Sequence, residues 1–318
     1  MNQPRSAIVI GCGVSGLTSA IRLIEAGFSV EIVARELPPE TTSNIAAALW
    51  FPFRAEPRER VLAWSKTTFD ELVRQHRAGV PGVTMTTFIE LYDHQAPRPF
   101  WEPAAAGVRR ARPDELHPDY EMGWAAEVPV VETPVYLPYL VERFTDLGGK
   151  IRQQNIEKIE DVAAPDRLAV VCAGLGARDL LKDEEVFPIR GQVVRVTNPG
   201  IRRALTDDDG PRSIAYTIPR TDDIILGGVA VPNDWNRTPD PELSIEILKK
   251  CRELEPALAD ATVIETRVGL RPGRTTVRLE RETLPDGSPV IYNYGHGGAG
   301  FTLCWGCAAE VAERAVSG

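Results

Sequence analysis

The chain has no excess of positive charge: its 36 Lys and Arg stand against 45 Asp and Glu, for a formal net charge of −9 over 318 residues. No basic run offsets this, so a nucleic-acid partner is not expected. No apolar stretch approaches the roughly 18 residues needed for a membrane-crossing helix, and no membrane partner is expected. The first residues run directly into a strand pattern without the layout of a signal peptide. Val316-Ser317-Gly318 is not a peroxisomal Ser-Lys-Leu address. Together these absences predict a cytoplasmic location. Cysteines are few and odd in number, five in all, which speaks for reduced thiols over a disulfide framework. Cys304-Trp305-Gly306-Cys307 forms a C-x-x-C, but no second pair supplies the remaining ligands of a zinc site. No metal is expected, and packing thiols are the favoured reading over a redox pair.

What is present is 43% hydrophobic and 25% charged, the make-up of a globular protein long enough for two domains. Its strongest local signal is at the N-terminus. Ala7-Ile8-Val9-Ile10 reads as a short buried strand, and Gly11, Gly13 and Gly16 follow at the spacing G-x-G-x-x-G. In a dinucleotide fold the first glycine permits the tight turn, the second admits a pyrophosphate to the backbone, and the third packs helix on strand. Val14, Leu17, Ile21 and Ile24 repeat with helical period, Gly27 caps that helix, and Phe28–Val33 reads as the second strand. Val14 and Ser15 thus open a helix whose N–H groups face a phosphate. The acid that normally takes ribose hydroxyls at the end of the second strand is missing. Ala34 and Arg35 stand there, with Glu36 next. Glu36 or a backbone group could substitute, or Arg35 could take the 2′-phosphate of NADP.

Further along, hydroxyls and small residues from Thr41 to Phe53 suit a loop against a flat cofactor ring. Residues 57–78 read as a helix, and residues 95–119, rich in proline and alanine, as an extended surface connection. Val128 to Gln154 returns to α/β grammar, with a helix face at Tyr136, Leu140, Phe144 and Leu147. The strand from Leu168 ends in the small residues Ala173-Gly174-Leu175-Gly176, which would admit a ligand at its carboxyl end. Gly191–Val196, Ser213–Ile218 and Ile224–Val229 look like antiparallel strands, followed by a helix at Glu242–Leu254. A strand around Val290–Tyr294, a second glycine-rich loop at Gly295–Gly300 and a helix from about Thr302 to Ala315 complete the chain.

These blocks in this order resemble the D-amino-acid oxidases, flavoenzymes of the glutathione-reductase-like FAD superfamily. The likeness runs through Gly11–Gly16, Ala46-Ala47-Ala48-Leu49-Trp50, Arg190-Gly191-Gln192, Tyr216-Thr217-Ile218-Pro219 and Leu226-Gly227-Gly228. It continues through Arg271-Pro272, Arg278–Glu282, Asn293–Gly298 and Trp305-Gly306-Cys307-Ala308. That last block accounts for Cys307 and weakens the redox reading further. The resemblance implies an α/β FAD-binding domain of Rossmann type, from residues 1–50, 135–186 and 268–318. A substrate domain with a mainly antiparallel sheet would take residues 51–134 and 187–267. It implies non-covalent FAD, a D-amino acid and O2 as partners, and release of an imine that hydrolyses to a 2-oxo acid and ammonia. A homodimer is a further expectation.

By the same resemblance Arg271 would hold the substrate carboxylate with two charge-assisted hydrogen bonds. Tyr216 would add its hydroxyl, and the Gly298 carbonyl would accept from the amine. The cofactor contacts would come from Gly11, Gly13, Val14, Ser15, Gly16, Arg35, Thr42, Ser43, Ala47, Ala48, Leu49, Trp50, Gly174, Arg271, Gly297, Gly298, Gly300, Phe301 and Thr302. His296 is expected to shape the glycine loop, because hydride transfer requires no histidine base. Phe51 replaces a glutamine of the animal enzymes, and Arg212 stands where they carry a lid tyrosine, which implies a more open pocket and faster product release. Arg212 also keeps D-aspartate oxidase in view, whereas Ala230 occupies a place where that enzyme has an arginine. Neutral, apolar D-amino acids are therefore the expected substrates. The alternatives are D-aspartate oxidase, a glycine or sarcosine oxidase, and a flavin-binding protein without oxidase activity.

Overall fold

The structure, a computed structural model, describes residues 5–317. The N-terminal pattern folds as β1 (Ser6–Ile10), α1 (Val14–Glu25) and β2 (Ser29–Ala34). The buried face of α1 carries Val14, Leu17 and Ile21 against that pair. α2 (Arg58–Arg77), β3 (Val83–Tyr92), β4 (Arg109–Arg110), β5 (Met122–Val131) and α3 (Thr133–Asp146) follow. Next come β6 (Lys150–Gln153), β7 (Arg167–Val171), α4 (Ala177–Leu181), β8 (Phe187–Thr197), β9 (Arg203–Asp207), β10 (Ala215–Pro219) and β11 (Asp223–Gly227). The remainder is β12 (Val231–Pro232), α5 (Pro241–Leu254), β13 (Val263–Gly273), β14 (Arg278–Thr283), β15 (Pro289–Tyr294) and α6 (Gly300–Val316).

Two sheets result. The first has the order β14-β15-β7-β1-β2-β6 and is parallel except for the β14–β15 pair. Its central strands β1 and β7 read as near-continuous apolar runs because both their faces are covered. α1, α3 and α6 pack on one face in a core of Val9, Leu17, Ile21, Tyr136, Phe144 and Trp305. The second sheet runs β12-β8-β11-β10-β9-β3-β5-β4, with β13 lying along β8. Its pairs are antiparallel apart from β3 with β9. α5 packs on this sheet through Ile247 and Cys251. All five cysteines are buried and unpaired, so none forms a disulfide. No group of His, Cys, Asp and Glu among the described residues could hold a metal ion. No helix among them is long and apolar enough to cross a membrane.

Three expectations are corrected. Residues 95–119 are not merely a surface connection: Trp101 is fully buried against Trp50, Phe51 and Phe88, and its indole donates to Glu90 at 2.8 Å. Residues 128–131 belong to β5 of the antiparallel sheet and not to α/β grammar. Arg271-Pro272 lies in β13 and pairs with Ile189 and Pro188 on β8. The second sheet therefore keeps residues 268–273, which the sequence assigns to the cofactor domain. Proline is tolerated there because β13 lies at an edge, where no partner strand needs its missing N–H.

Candidate active site

A cavity of about 580 Å³ runs between the carboxyl ends of the first sheet and the face of the second. One end is made by the β1–α1 turn. Gly11 has φ +114°, and a side chain there would drive into the Cys172 carbonyl. Gly13 leaves the N-terminus of α1 without a side-chain cap or an acidic residue in its first turn. The Val14 N–H donates to Ser43 Oγ at 3.0 Å, which brings the 41–49 segment against the helix. Within that segment Ala48 holds a left-handed backbone at φ +58°, a strained state for a residue with a Cβ.

The opposite wall is the turn before α6. The Gly297 N–H donates to the Pro272 carbonyl at 2.8 Å, and α6 also begins with no side-chain cap and no acid in its first turn. His296 is buried, with Nε2 3.0 Å from Asn293 Oδ1, and Asn293 in turn donates to Ser19 Oγ at 3.0 Å. Burial pushes the imidazole down to about 4, so the ring is neutral at physiological pH and fixes the turn. Two helix N-termini facing one cavity, neither with an N-cap side chain of its own nor an acid in its first turn, with glycine backbone between, fit an anionic dinucleotide.

At the other end the second sheet presents Tyr216 and Arg271. The Arg271 guanidinium rests on Gly191, where an added Cβ would come closer than 3.0 Å to three of its atoms, and Nη1 donates to the Val229 carbonyl at 2.9 Å. The Tyr216 ring rests in the same way on Gly227 and Gly228. Burial pushes its phenol upward, with the positive charge of Arg271 pulling the other way. Phe51, Ile214, Ile218, Val229 and Ala230 make the surrounding wall apolar.

Of the residues named from sequence, Gly11, Gly13, Val14, Ser15, Arg35, Thr42, Ser43, Ala47, Ala48, Leu49, Phe51, Gly174, Tyr216, Arg271, Gly297, Gly298, Gly300 and Phe301 line this cavity. Four do not. Gly16 is pressed on the Gly11 carbonyl and serves helix packing. Trp50 is buried behind the wall, its indole donating to the Ser65 carbonyl at 2.9 Å. Thr302 exchanges hydrogen bonds with the backbone of Phe51 through Oγ1, and so holds a lining residue without lining the cavity. Arg212 turns away: it pairs with Asp119, and its Nη1 donates to Tyr120 Oη at 3.3 Å. Asp207 accepts from both Tyr120 Oη at 2.5 Å and the Arg212 N–H at 2.8 Å, which fixes that orientation. Arg35 pairs with Glu36 at 3.2 Å at the exposed rim of the cavity. The supporting glycines 191, 227 and 228 escaped the sequence reading as site residues, although all three stand inside blocks that carried the resemblance.

Residues 6–314 match the family described as FAD dependent oxidoreductase. The chain is 47% identical over 312 residues to a D-amino-acid oxidase of Rubrobacter xylanophilus, covering 97% of this chain and 95% of that one. It is 36% identical to a human D-aspartate oxidase, over 98% of this chain and 95% of the relative. In fold it superposes on glycine oxidase from Bacillus cereus with a TM-score of 0.80 at 19% identity, over 98% and 94% of the two chains. The two-sheet fold and the cavity with its open helix ends are thus those of an FAD-dependent oxidoreductase. Within that class the chain belongs to the D-amino-acid oxidase family, and its cofactor is FAD.

Proposed function

We propose that this enzyme oxidises neutral, apolar D-amino acids to 2-oxo acids, with O2 as electron acceptor. The observation that carries the reading is the pairing of Arg271 and Tyr216 at the apolar end of the cavity. A free amino acid must have its carboxylate held in one orientation, and a guanidinium whose Nη1 is anchored on Val229 offers its remaining N–H donors in a fixed plane. Tyr216 adds a neutral hydroxyl beside it. The Gly298 carbonyl accepts from the substrate amine, which sets the face on which the α-hydrogen points. Bound FAD would supply the hydride acceptor for the α-carbon and the electron route to O2, so that the products would be hydrogen peroxide and an imine that water converts to 2-oxo acid and ammonia. The protein's part is orientation, since burial disfavours the protonated form of His296 and its Nε2 is engaged by Asn293, which makes it a poor base for the amine.

The test is an anaerobic absorbance spectrum of the flavin-loaded protein with D-methionine, D-alanine, D-aspartate, glycine and the L-isomers. Bleaching by D-methionine and D-alanine ahead of D-aspartate supports the reading. Bleaching by glycine alone selects a glycine-type oxidase, and no bleaching overturns the reading altogether. Peroxide formation in air separates an oxidase from a dehydrogenase.

Two variants check the geometry. Gly227→Ala places a Cβ inside the Tyr216 ring, which must swing off its seat. Loss of the hydroxyl contact, together with that displacement, is expected to lower kcat/KM for D-methionine by about tenfold or more. A steady-state assay reads this, and an unchanged value would mean that Tyr216 does not touch substrate. Arg212→Ala, by contrast, removes a side chain that faces Asp119. The ratio of D-aspartate to D-methionine turnover is expected to stay within about twofold of wild type. A selective fall in D-aspartate turnover would restore Arg212 to the pocket.

A further inference from the structure

Arg271 is not the sole arginine lining the cavity: besides Arg35 at the rim, the exposed Arg237, on the connection between β12 and α5, also lines it. The acids nearest to it in sequence are engaged elsewhere. Asp234 faces Arg190 at 3.7 Å, and the Asp240 carboxylate caps α5 by accepting from the N–H groups of Glu242 and Leu243.

The connection that carries Arg237 is held by two buried polar side chains of β8. Arg190, 5% exposed, donates through Nε to the Asn236 carbonyl and through Nη2 to the Thr238 carbonyl, both at 3.0 Å. These are the carbonyls on either side of Arg237. Gln192, with no exposed surface, donates to the Asp240 carbonyl at 2.7 Å and accepts from the Asp240 N–H at 2.8 Å. Side chains alternate across a strand, so Gly191 between them faces the other way, where it receives the Arg271 guanidinium. One tripeptide thus serves two of the three arginines that line the cavity: its glycine seats Arg271 and its flanking residues fix the backbone of Arg237. Burying a guanidinium carries a large desolvation cost, and here its donors go to two backbone carbonyls and to Gln192 Oε1. That arrangement immobilises the residue between those carbonyls.

We propose that Arg237 is an anion-recognising group of the cavity, positioned by Arg190 and Gln192. It takes an anionic oxygen of a cavity ligand, either a phosphate of FAD or the side-chain carboxylate of a dicarboxylic D-amino acid. The second source rests on the D-amino-acid reading given above; the first does not.

The experiment uses Arg237→Gln in the full chain, with two readouts. One is the dissociation constant of FAD, from titration of the apoprotein. The other is kcat/KM for D-aspartate divided by that for D-methionine in the FAD-saturated enzyme. Losing a hydrogen bond to a charged group is expected to move one of them by roughly tenfold or more. Weaker FAD binding identifies the phosphate, and a fall in the substrate ratio identifies the carboxylate. If both stay within about twofold of wild type, the proposal is overturned. Wild-type turnover of D-methionine in the same assay keeps the two readings apart: without it the functional reading fails, while the FAD titration still decides the role of Arg237. The positioning role is tested by Arg190→Met and by the double variant. If Arg190 acts through Arg237, the single change reproduces the shift and the double adds nothing to it. An additive double variant makes Arg190 merely structural and overturns that part. Gln192→Ala provides the same cycle should Arg190→Met not fold.

Discussion

Arg271→Met is expected to lower kcat/KM for D-methionine by about a thousandfold, measured by flavin reduction normalised to bound FAD. The guanidinium is seated on Gly191 and tethered to the Val229 carbonyl at 2.9 Å, so it meets its ligand already oriented. On the proposed reading the substrate carboxylate would enter the apolar end of the cavity, where an unpaired charge is costly. Truncating one partner of a buried charge pair costs roughly 2–5 kcal/mol, and about 4 kcal/mol corresponds to roughly three orders of magnitude in rate. Lysine should recover little of this, because a single ammonium cannot hold the Val229 carbonyl and both carboxylate oxygens at once. Retention of activity within tenfold in Arg271→Met would show that another group binds the carboxylate.

The largest effect on stability is expected far from the chemistry. Gly306 lies where α6 crosses α2, its N–H donating to Thr68 Oγ1 at 2.9 Å. A Cβ at position 306 would come closer than 3.0 Å to the Cα, carbonyl carbon and oxygen of Trp64. These are backbone atoms, so the clash cannot be relieved by a rotamer change; the helices must part. Overpacking usually costs about 1–3 kcal/mol, and a backbone clash belongs at or above the upper end. For a chain of this size, where 1 kcal/mol moves Tm by about 1.5 °C, that corresponds to a fall in Tm of roughly 5 °C, which calorimetry reads. A Gly306→Ala protein melting within about 1 °C of wild type would show that the helices separate freely. Because α6 also brings Gly300 and Phe301 to the cavity, flavin release should move with the unfolding transition.

Much of this was legible in the sequence wherever the information is local. Three glycines at fixed spacing after a Val/Ile run define a turn, a strand and a helix by backbone sterics alone, and the first sheet starts as that pattern predicts. The second sheet was harder to read. β3, β5 and β9 pair residues separated by long stretches of chain, and no local signal announces that Thr87 lies beside Arg203. No local pattern at Arg271-Pro272 shows that it lies in a strand, because only β8 alongside makes it one. Arg212 resembles a pocket residue by position. Its direction is set by Asp119, Tyr120 and Asp207, which come from two other parts of the chain. Arg237 gave no sign at all, since the residues that fix it lie some 46 and 48 positions away from their acceptors.

The first sheet also has a consequence for how the protein is made. Its centre joins β1 to β7 and then to β15, and α1 is tied to the C-terminal region by hydrogen bonds spanning 286 residues, from Thr18 to the Cys304 carbonyl, and 274 residues, from Asn293 to Ser19. A chain in which residues 289–316 have not yet folded has the glycine turn but neither β15 nor α6 to complete the wall around it. Cofactor loading is therefore expected to wait until β15 and α6 are in place. Until then the Val/Ile edge of β7 stays open.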